Sequence, residues 1–170
     1  EKVVEAFSLA LKKVPDAELL IVGDGIAKPE LEKLVREKGI EDKVKFPGRI
    51  MPPKLQEVYR TGTLFVTASK TETQGIVLIE AAATGLPLVA VDAGAVRELC
   101  QNKKNGLLCK PDNVRQMARA MVKILSDKKL QEQYGAGSLE IAKKHDINHT
   151  LSRFEEIYQI AIQLTSSKTS

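Results

Sequence analysis

Short apolar runs alternate with helical patterns along the chain, and this alternation restricts the fold more than any other feature of the sequence. Between the runs lie segments with the three- and four-residue apolar spacing of helices, such as 29–39, which Pro29 opens and Gly39 ends. This order predicts βαβ units, and therefore an α/β fold with a doubly wound parallel sheet and helices on both faces. The predicted strands are 18–22, 44–46, 64–67, 88–91 and 107–109. A first helix is predicted to extend to Val14, where Pro15 stops it, and Asp112-Asn113 is predicted to cap the helix that follows the last strand.

Each of the first four predicted strands is followed by a turn rich in glycine or in small and polar residues. These turns are 23–25, 47–49, 69–75 and 92–94. Parallel strands that are joined by right-handed crossovers bring their carboxyl ends to one edge of the sheet. The sequence therefore predicts a ligand cleft at this edge.

The composition excludes several classes of protein. Hydrophobic residues make up 43% and charged residues 28% of the 170 positions, and no apolar run reaches the length of a membrane-spanning helix. With no Trp, four Phe and three Tyr, a base-stacking surface is poorly supported, so we expect no nucleic-acid partner. Cys100 and Cys109 lack metal spacing and are predicted to be free, half-buried thiols in a reducing compartment.

The segment 67–80 carries the clearest chemistry, because a strand ends, a polar loop follows and a helix opens at Gly75. The first backbone N–H groups of a helix have no intrahelical partners, and its N-terminus carries positive dipole charge. A glycine at this point lets a phosphate approach the backbone. The segment is therefore a predicted anion site, and this feature alone suits any phosphate ligand.

Two acids, Glu72 and Glu80, lie on either side of this helix start. Ligand hydroxyls are suitable donors to a carboxylate on apolar sequence, and a phosphate flanked by polyol hydroxyls describes a nucleotide sugar. The alternatives are that Glu72 is a solvated loop acid and that Glu80 bonds nearby backbone N–H groups. The residues alone favour the solvated role for Glu72 and leave the two roles of Glu80 evenly balanced.

The run ETQGIVLIEAAATGLPLVA, in which seven residues separate the two acids, resembles the E-x7-E element of retaining GT-B glycosyltransferases. This class includes sucrose synthase, bacterial glycogen synthase and many lipid-sugar and mannosyl transferases. The likeness covers about 1–145, through LLIVGDG, VKFPGRI, LFVTASKTETQG, DAGAVREL and NGLLCKPDN. It is a likeness to the C-terminal, donor-binding Rossmann-like domain; a C-terminal helix at 146–164 and a loose tail at 165–170 are expected to follow.

The resemblance implies a role for each matching residue near the helix start. Glu72 would meet hydroxyls of the transferred sugar, and Glu80 would hold the ribose hydroxyls; these two are the predicted catalytic acids. The backbone N–H groups of Gly75, Ile76 and Val77 would bind the diphosphate and the sugar. No metal and no cofactor are expected.

At the other end of the cleft, the resemblance implies that the Gly48-Arg49 backbone reads the base, usually uracil. Gly23 and Gly25 would line the nucleotide cleft.

Thr73 and Gln74 are also predicted to bind the donor. The motif departs from its common form at these two positions, where the family usually has glycine and a bulky apolar residue. This version resembles enzymes that glucosylate diacylglycerol or related glycolipids. The resemblance therefore implies transfer of a hexose, glucose, from a UDP-sugar to a lipid or saccharide acceptor at the cytoplasmic face of the inner membrane. Scattered lysine pairs favour a solvated surface, with contact to anionic lipid as the alternative.

The chain starts inside a helical pattern, after the family's first strand, which carries an Arg and a Lys that neutralise the diphosphate. We expect the place of this strand, between 18–22 and 64–67, to be filled by another segment or the sheet to be distorted. The acceptor-binding N-terminal domain is also outside the chain, so the isolated chain is expected to be inactive. Two other functions stay open: a non-catalytic nucleotide-binding module and half of a nucleotide-sugar epimerase.

His145 and His149 are four residues apart and could face one side of a helix, but the sequence offers no third metal ligand. They are interpreted as surface residues, with Asp146 as the N-cap of the last predicted helix.

Overall fold

Five parallel strands and seven α-helices alternate along residues 1–146, the part of the chain that this computed structural model describes. The helices are α1 (Lys2–Ala10), α2 (Lys28–Lys38), α3 (Lys54–Thr61), α4 (Ile76–Ala83), α5 (Val96–Leu99), α6 (Val114–Leu125) and α7 (Lys128–Lys143). The strands are β1 (Leu19–Val22), β2 (Val44–Gly48), β3 (Phe65–Thr67), β4 (Leu88–Val91) and β5 (Gly106–Cys109). A short 3₁₀ turn, Glu41–Lys43, precedes β2. The predicted α/β class is confirmed.

The strands form two parallel sheets. One contains β1 and β2, and the other has the order β3-β4-β5. In residues 1–146, no strand pairs with a strand of both sheets. That another segment fills the place between 18–22 and 64–67, or that the sheet is distorted there, stays a prediction.

Helices cover both faces of β4, whose four residues are all buried, as its continuous apolar run predicts. Val89 and Val91 face a first core, which α1 and α6 complete. Leu88 and Ala90 face a second core, which α4 and α5 complete. Because successive strand residues point to opposite faces, one strand supplies both cores and fixes the three layers.

Helix ends follow the local signals with two corrections. Gly39 ends α2 in the left-handed conformation (φ 64°), as predicted. Asn113 caps α6, since its side chain accepts from the Gln116 N–H at 2.9 Å. Asp112, which was predicted to share this cap, instead forms an ion pair with Lys70. The predicted first helix, extending to Val14, ends at Ala10.

The two cysteines are free, but the prediction that they are half-buried is wrong. Cys100 and Cys109 are 0% and 1% exposed. Burial raises the pKa of Cys100 to about 12 and that of Cys109 to about 11. Both thiols therefore stay protonated at neutral pH and serve as small apolar side chains.

The predicted C-terminal helix at 146–164 lies outside the described residues beyond its first position, and so do the tail 165–170 and His149. None of the helices in the described part has the length and apolar character needed to cross a membrane.

Candidate functional site

The predicted cleft turns lie at the carboxyl ends of β1 to β4, and hydrogen bonds join the first two of them. The Arg49 N–H donates to Asp24 Oδ2 at 3.0 Å, and the Gly23 N–H donates to the Gly48 carbonyl at 2.9 Å. A Cβ on Gly48 would lie 3.0 Å from Asp24 Oδ1, whereas a Cβ on Gly25 would meet nothing within 4 Å. The carboxylate of Asp24, to which the sequence assigned no role, therefore holds two predicted site segments together.

The loop after β3 is closed by its own acid. Glu72 Oε1 accepts from the Gly75 N–H at 2.8 Å, and Glu72 is half-buried. Its backbone also meets the turn after β4, because a Cβ on Gly94 would lie 3.0 Å from the Glu72 carbonyl oxygen. The prediction of a merely solvated loop acid is wrong, since this carboxylate binds a helix N-terminus.

Two ion pairs hold the loops at this edge. Lys70 Nζ lies 2.7 Å from Asp112 Oδ2 and joins the loop after β3 to the turn after β5. Arg97 on α5 donates two hydrogen bonds to Asp92 in the turn after β4. These cations hold the pKa of Asp112 and of Asp92 below its usual value, mainly through the hydrogen bonds. Both carboxylates therefore stay ionised at neutral pH.

Apart from the Gly75 N–H, which Glu72 occupies, the N-terminus of α4 is open to ligands. Gly75 is buried in the left-handed conformation (φ 67°), and α4 has no side-chain cap on its N-cap residue within the described chain. The next residues, Ile76 and Val77, are 56% and 41% exposed. Thr73 and Gln74 are exposed as well. The helix therefore presents its first N–H groups at the surface, where an anion can reach them.

Glu80 lies in the second turn of α4 and is half-buried. Its Oε2 accepts a hydrogen bond from the Tyr59 hydroxyl at 3.0 Å. The expected alternative, a bond from a nearby backbone N–H, is wrong for this acid. Tyr59 is a neighbour that the sequence did not predict.

Hydrogen bonds and close contacts thus join the predicted residues in two groups. One contains the turns after β1 and β2, with Gly23, Gly48 and Arg49. The other contains the loop after β3, the start of α4 and the turn after β4, with Glu72 and Gly75. In residues 1–146, no three His, Cys, Asp or Glu side chains form a group that could hold a metal ion.

Comparison with known proteins gives a consistent family match. The family model described as "Glycosyl transferases group 1" matches residues 1–140. The sulfoquinovosyl transferase SQD2 of Arabidopsis thaliana is 31% identical over 166 residues, which is 95% of this chain and 32% of that protein.

Solved structures show the same similarity. An S. aureus TarM mutant in complex with fondaparinux, alpha-GlcNAc-glycerol and UDP has a TM-score of 0.83 at 26% identity over 92% of this chain and 32% of that one. Anabaena HepE in complex with UDP has a TM-score of 0.78 at 25% identity over 96% of this chain and 44% of that one. The chain therefore spans less than half the length of these relatives.

Proposed function

Because the chain belongs to the glycosyl transferases group 1 family, we propose that it is the donor-binding part of a retaining glycosyltransferase of the E-x7-E class. The donor is a UDP-sugar, UDP-glucose, and the acceptor is a lipid or a saccharide. The match covers 32% of the Arabidopsis relative, and in this proposal the acceptor site lies outside the present chain.

The observation that carries this proposal is the anionic oxygen already bound at the start of α4. Glu72 Oε1 occupies the Gly75 N–H at 2.8 Å, which marks this point as a place where negative charge is stabilised. A diphosphate oxygen takes the place of this carboxylate and also reaches the N–H groups of Ile76 and Val77. The glycine lets the phosphate come close to the backbone.

The two acids then bind the sugars. Once phosphate occupies the Gly75 N–H, the Glu72 carboxylate is free to accept hydrogen bonds from hydroxyls of the transferred hexose. Glu80 accepts from the ribose hydroxyls, since a carboxylate has about four acceptor sites and Tyr59 uses one of them. A diol supplies the two donors that such a carboxylate needs.

The chemical step asks for charge stabilisation rather than for a protein nucleophile. The bond between the sugar C1 and the diphosphate oxygen breaks, and the acceptor hydroxyl oxygen bonds to C1 on the same face, which retains the configuration. The acceptor proton passes to the departing diphosphate. The N-terminus of α4 stabilises the charge that develops on this leaving group, and the acids hold the donor in the reactive geometry. No metal takes part in this proposal.

The turns after β1 and β2 hold the base. The Arg49 N–H already donates to Asp24, so it is not available to the base. The Arg49 carbonyl remains, and it accepts a hydrogen bond from the base. The N3–H of uracil is a suitable donor. Two similar structures, at 25% and 26% identity, contain UDP, which supports this nucleotide.

The acceptor is proposed from the Thr73-Gln74 form of the motif, which resembles that of enzymes acting on diacylglycerol-like lipids. The place of action would then be the cytoplasmic face of a membrane. Pairs of lysines such as Lys12-Lys13 would favour contact with anionic lipid there.

Binding of UDP to this chain tests the proposal directly. We expect saturation-transfer NMR to detect UDP on the wild type and Glu80→Ala to weaken binding about ten-fold or more, because hydrogen bonds to a charged acceptor are lost. Glu132→Ala, the same change at an exposed acid on α7, is the control. Undiminished binding in Glu80→Ala would contradict the ribose role. With UDP-glucose and membranes the isolated chain should bind donor without transferring glucose.

A further inference from the structure

The Tyr59–Glu80 hydrogen bond connects α3 to α4 across 21 residues of sequence. The Tyr59 hydroxyl lies 3.0 Å from Glu80 Oε2, and both side chains are half-buried. This bond ties an acid of the proposed donor site to a residue outside that site.

The ring of Tyr59 is held by apolar neighbours. Its centroid lies 6.1 Å from that of Phe65, with the ring planes tilted by 52°. Tyr59 also packs against the second core, in which Leu78 on the same helix as Glu80 is fully buried. The ring is therefore fixed by contacts that do not depend on Glu80, and its hydroxyl is a fixed donor.

The carboxylate of Glu80, in contrast, is attached through three rotatable bonds. Among the described residues, Tyr59 is the one recorded hydrogen-bond donor to it. The Tyr59 hydrogen bond uses one lone pair of Oε2, so both lone pairs of Oε1 can still accept hydrogen bonds from other donors. A flexible acid with one oxygen anchored loses less freedom when a ligand binds to the other.

We propose that Tyr59 is a positioning residue for nucleotide recognition, holding Glu80 Oε2 so that the rest of the carboxylate accepts the ribose hydroxyls. This inference rests on the proposed function of Glu80. Burial, together with the Glu80 hydrogen bond, raises the pKa of Tyr59, so the phenol remains a donor throughout the neutral range.

A comparison of two nucleotides and two tyrosine variants tests this role. Dissociation constants of UDP and of 2′,3′-dideoxy-UDP are measured by NMR titration for the wild type, Tyr59→Phe and Tyr134→Phe. Tyr134 is a buried tyrosine of the first core, so its variant controls for the loss of a phenol oxygen. We expect Tyr59→Phe to weaken UDP binding roughly three- to ten-fold, because an ordered side chain must now be fixed by the ligand. Binding of the dideoxy nucleotide should not change.

The same titration in a Glu80→Ala background separates positioning from general structure. If Tyr59 acts through Glu80, the effect of Tyr59→Phe on UDP should disappear when the carboxylate is absent. A variant that merely loosens the packing of α3 would weaken both nucleotides and would do so in both backgrounds.

The outcomes distinguish this inference from the proposed function. If wild-type protein does not prefer UDP over the dideoxy nucleotide, the ribose role of Glu80 is wrong and the inference is overturned with it. If the wild type has this preference and Tyr59→Phe keeps it in full, or binds UDP more tightly, only the positioning role is overturned. A preference that falls in Tyr59→Phe and stays in Tyr134→Phe supports both.

Discussion

Gly75 should tolerate no side chain, and the structure gives two separate reasons. Its φ of 67° is a left-handed conformation, which costs a residue with a Cβ about 1–2 kcal/mol. A Cβ at this position would also lie 2.1 Å from Leu99 Cδ1, far inside normal contact, and Leu99 is buried in the second core. Overpacking of this kind costs about 1–3 kcal/mol, since a methyl group can yield only by shifting its neighbours. Gly75→Ala should therefore lower the free energy of unfolding by about 2–5 kcal/mol.

Denaturant unfolding followed by circular dichroism measures this loss. Gly25→Ala is the matched control, because its Cβ would meet nothing within 4 Å and its φ is not positive. The control should change stability by less than about 1 kcal/mol. If Gly75→Ala lowers the free energy of unfolding no more than Gly25→Ala does, the reasoning is refuted for both the backbone conformation and the overlap with Leu99.

A double-mutant cycle with Leu99→Ala separates the two causes. Truncation of Leu99 removes the atom that the new Cβ would meet, so Gly75→Ala should cost about 1–2 kcal/mol in this background, the conformational part alone. The two substitutions should therefore be non-additive. Strict additivity would show that the overlap with Leu99 contributes nothing.

Two further predictions concern the interior. Asn105 is fully buried, donates to the Leu99 carbonyl and accepts from the Gln101 N–H, both at 2.8 Å. Asn105→Ala should thus cost about 2–5 kcal/mol in denaturant unfolding, and a loss below about 1 kcal/mol would contradict this role. Burial raises the pKa of Cys100 to about 12 and that of Cys109 to about 11, from an ordinary thiol pKa of 9.0. The stability that these thiols contribute is therefore fully present below pH 9.0, and it is lost as the pH rises through their pKa values in the folded protein. Stability should fall less steeply above about pH 9 in a variant with both cysteines replaced by alanine, and identical slopes would refute the linkage.

Most helices and strands can be predicted from the sequence because burial along each of them follows the hydrophobicity of its residues. The run at 88–91 is apolar at every position, and β4 is buried on both faces. Gly39 ended its helix as predicted, since a left-handed C-cap is a local requirement. The division of the strands into two sheets is different, because no pattern of residues in the sequence predicts it.

Errors arose where distant residues decide the outcome. Asp112 and Asn113 are both good capping residues, but Asn113 forms the cap, whereas Asp112 forms an ion pair with Lys70, 42 residues away. The depth at which Cys100 and Cys109 are buried depends on helices from several parts of the chain. Local sequence contains neither piece of information.

The same limit explains which site residues were missed. The partners of Glu80 and Arg49 are Tyr59 and Asp24, at separations of 21 and 25 residues. One signal was available for Tyr59, because a tyrosine packed against a core requires a hydrogen-bond partner for its hydroxyl. The predicted acid on the following apolar helix was a suitable acceptor.

Glu72 and Glu80 differ in whether a ligand must displace their present hydrogen-bond partner before it can bind to them. Glu72 is bound to the Gly75 N–H, the group to which the proposed function assigns the diphosphate, so carboxylate and phosphate would compete for one donor. Glu80 is bound to the Tyr59 hydroxyl, to which the proposed function assigns no ligand, so this bond could persist in the complex. In the proposed function, Glu80 would therefore bind the nucleoside without rearrangement, whereas Glu72 would reach the transferred sugar only after the diphosphate had displaced it. The nucleotide would then bind before Glu72 contacts the hexose. In this order of events, the site would bind a hexose only when the hexose is attached to a nucleoside diphosphate.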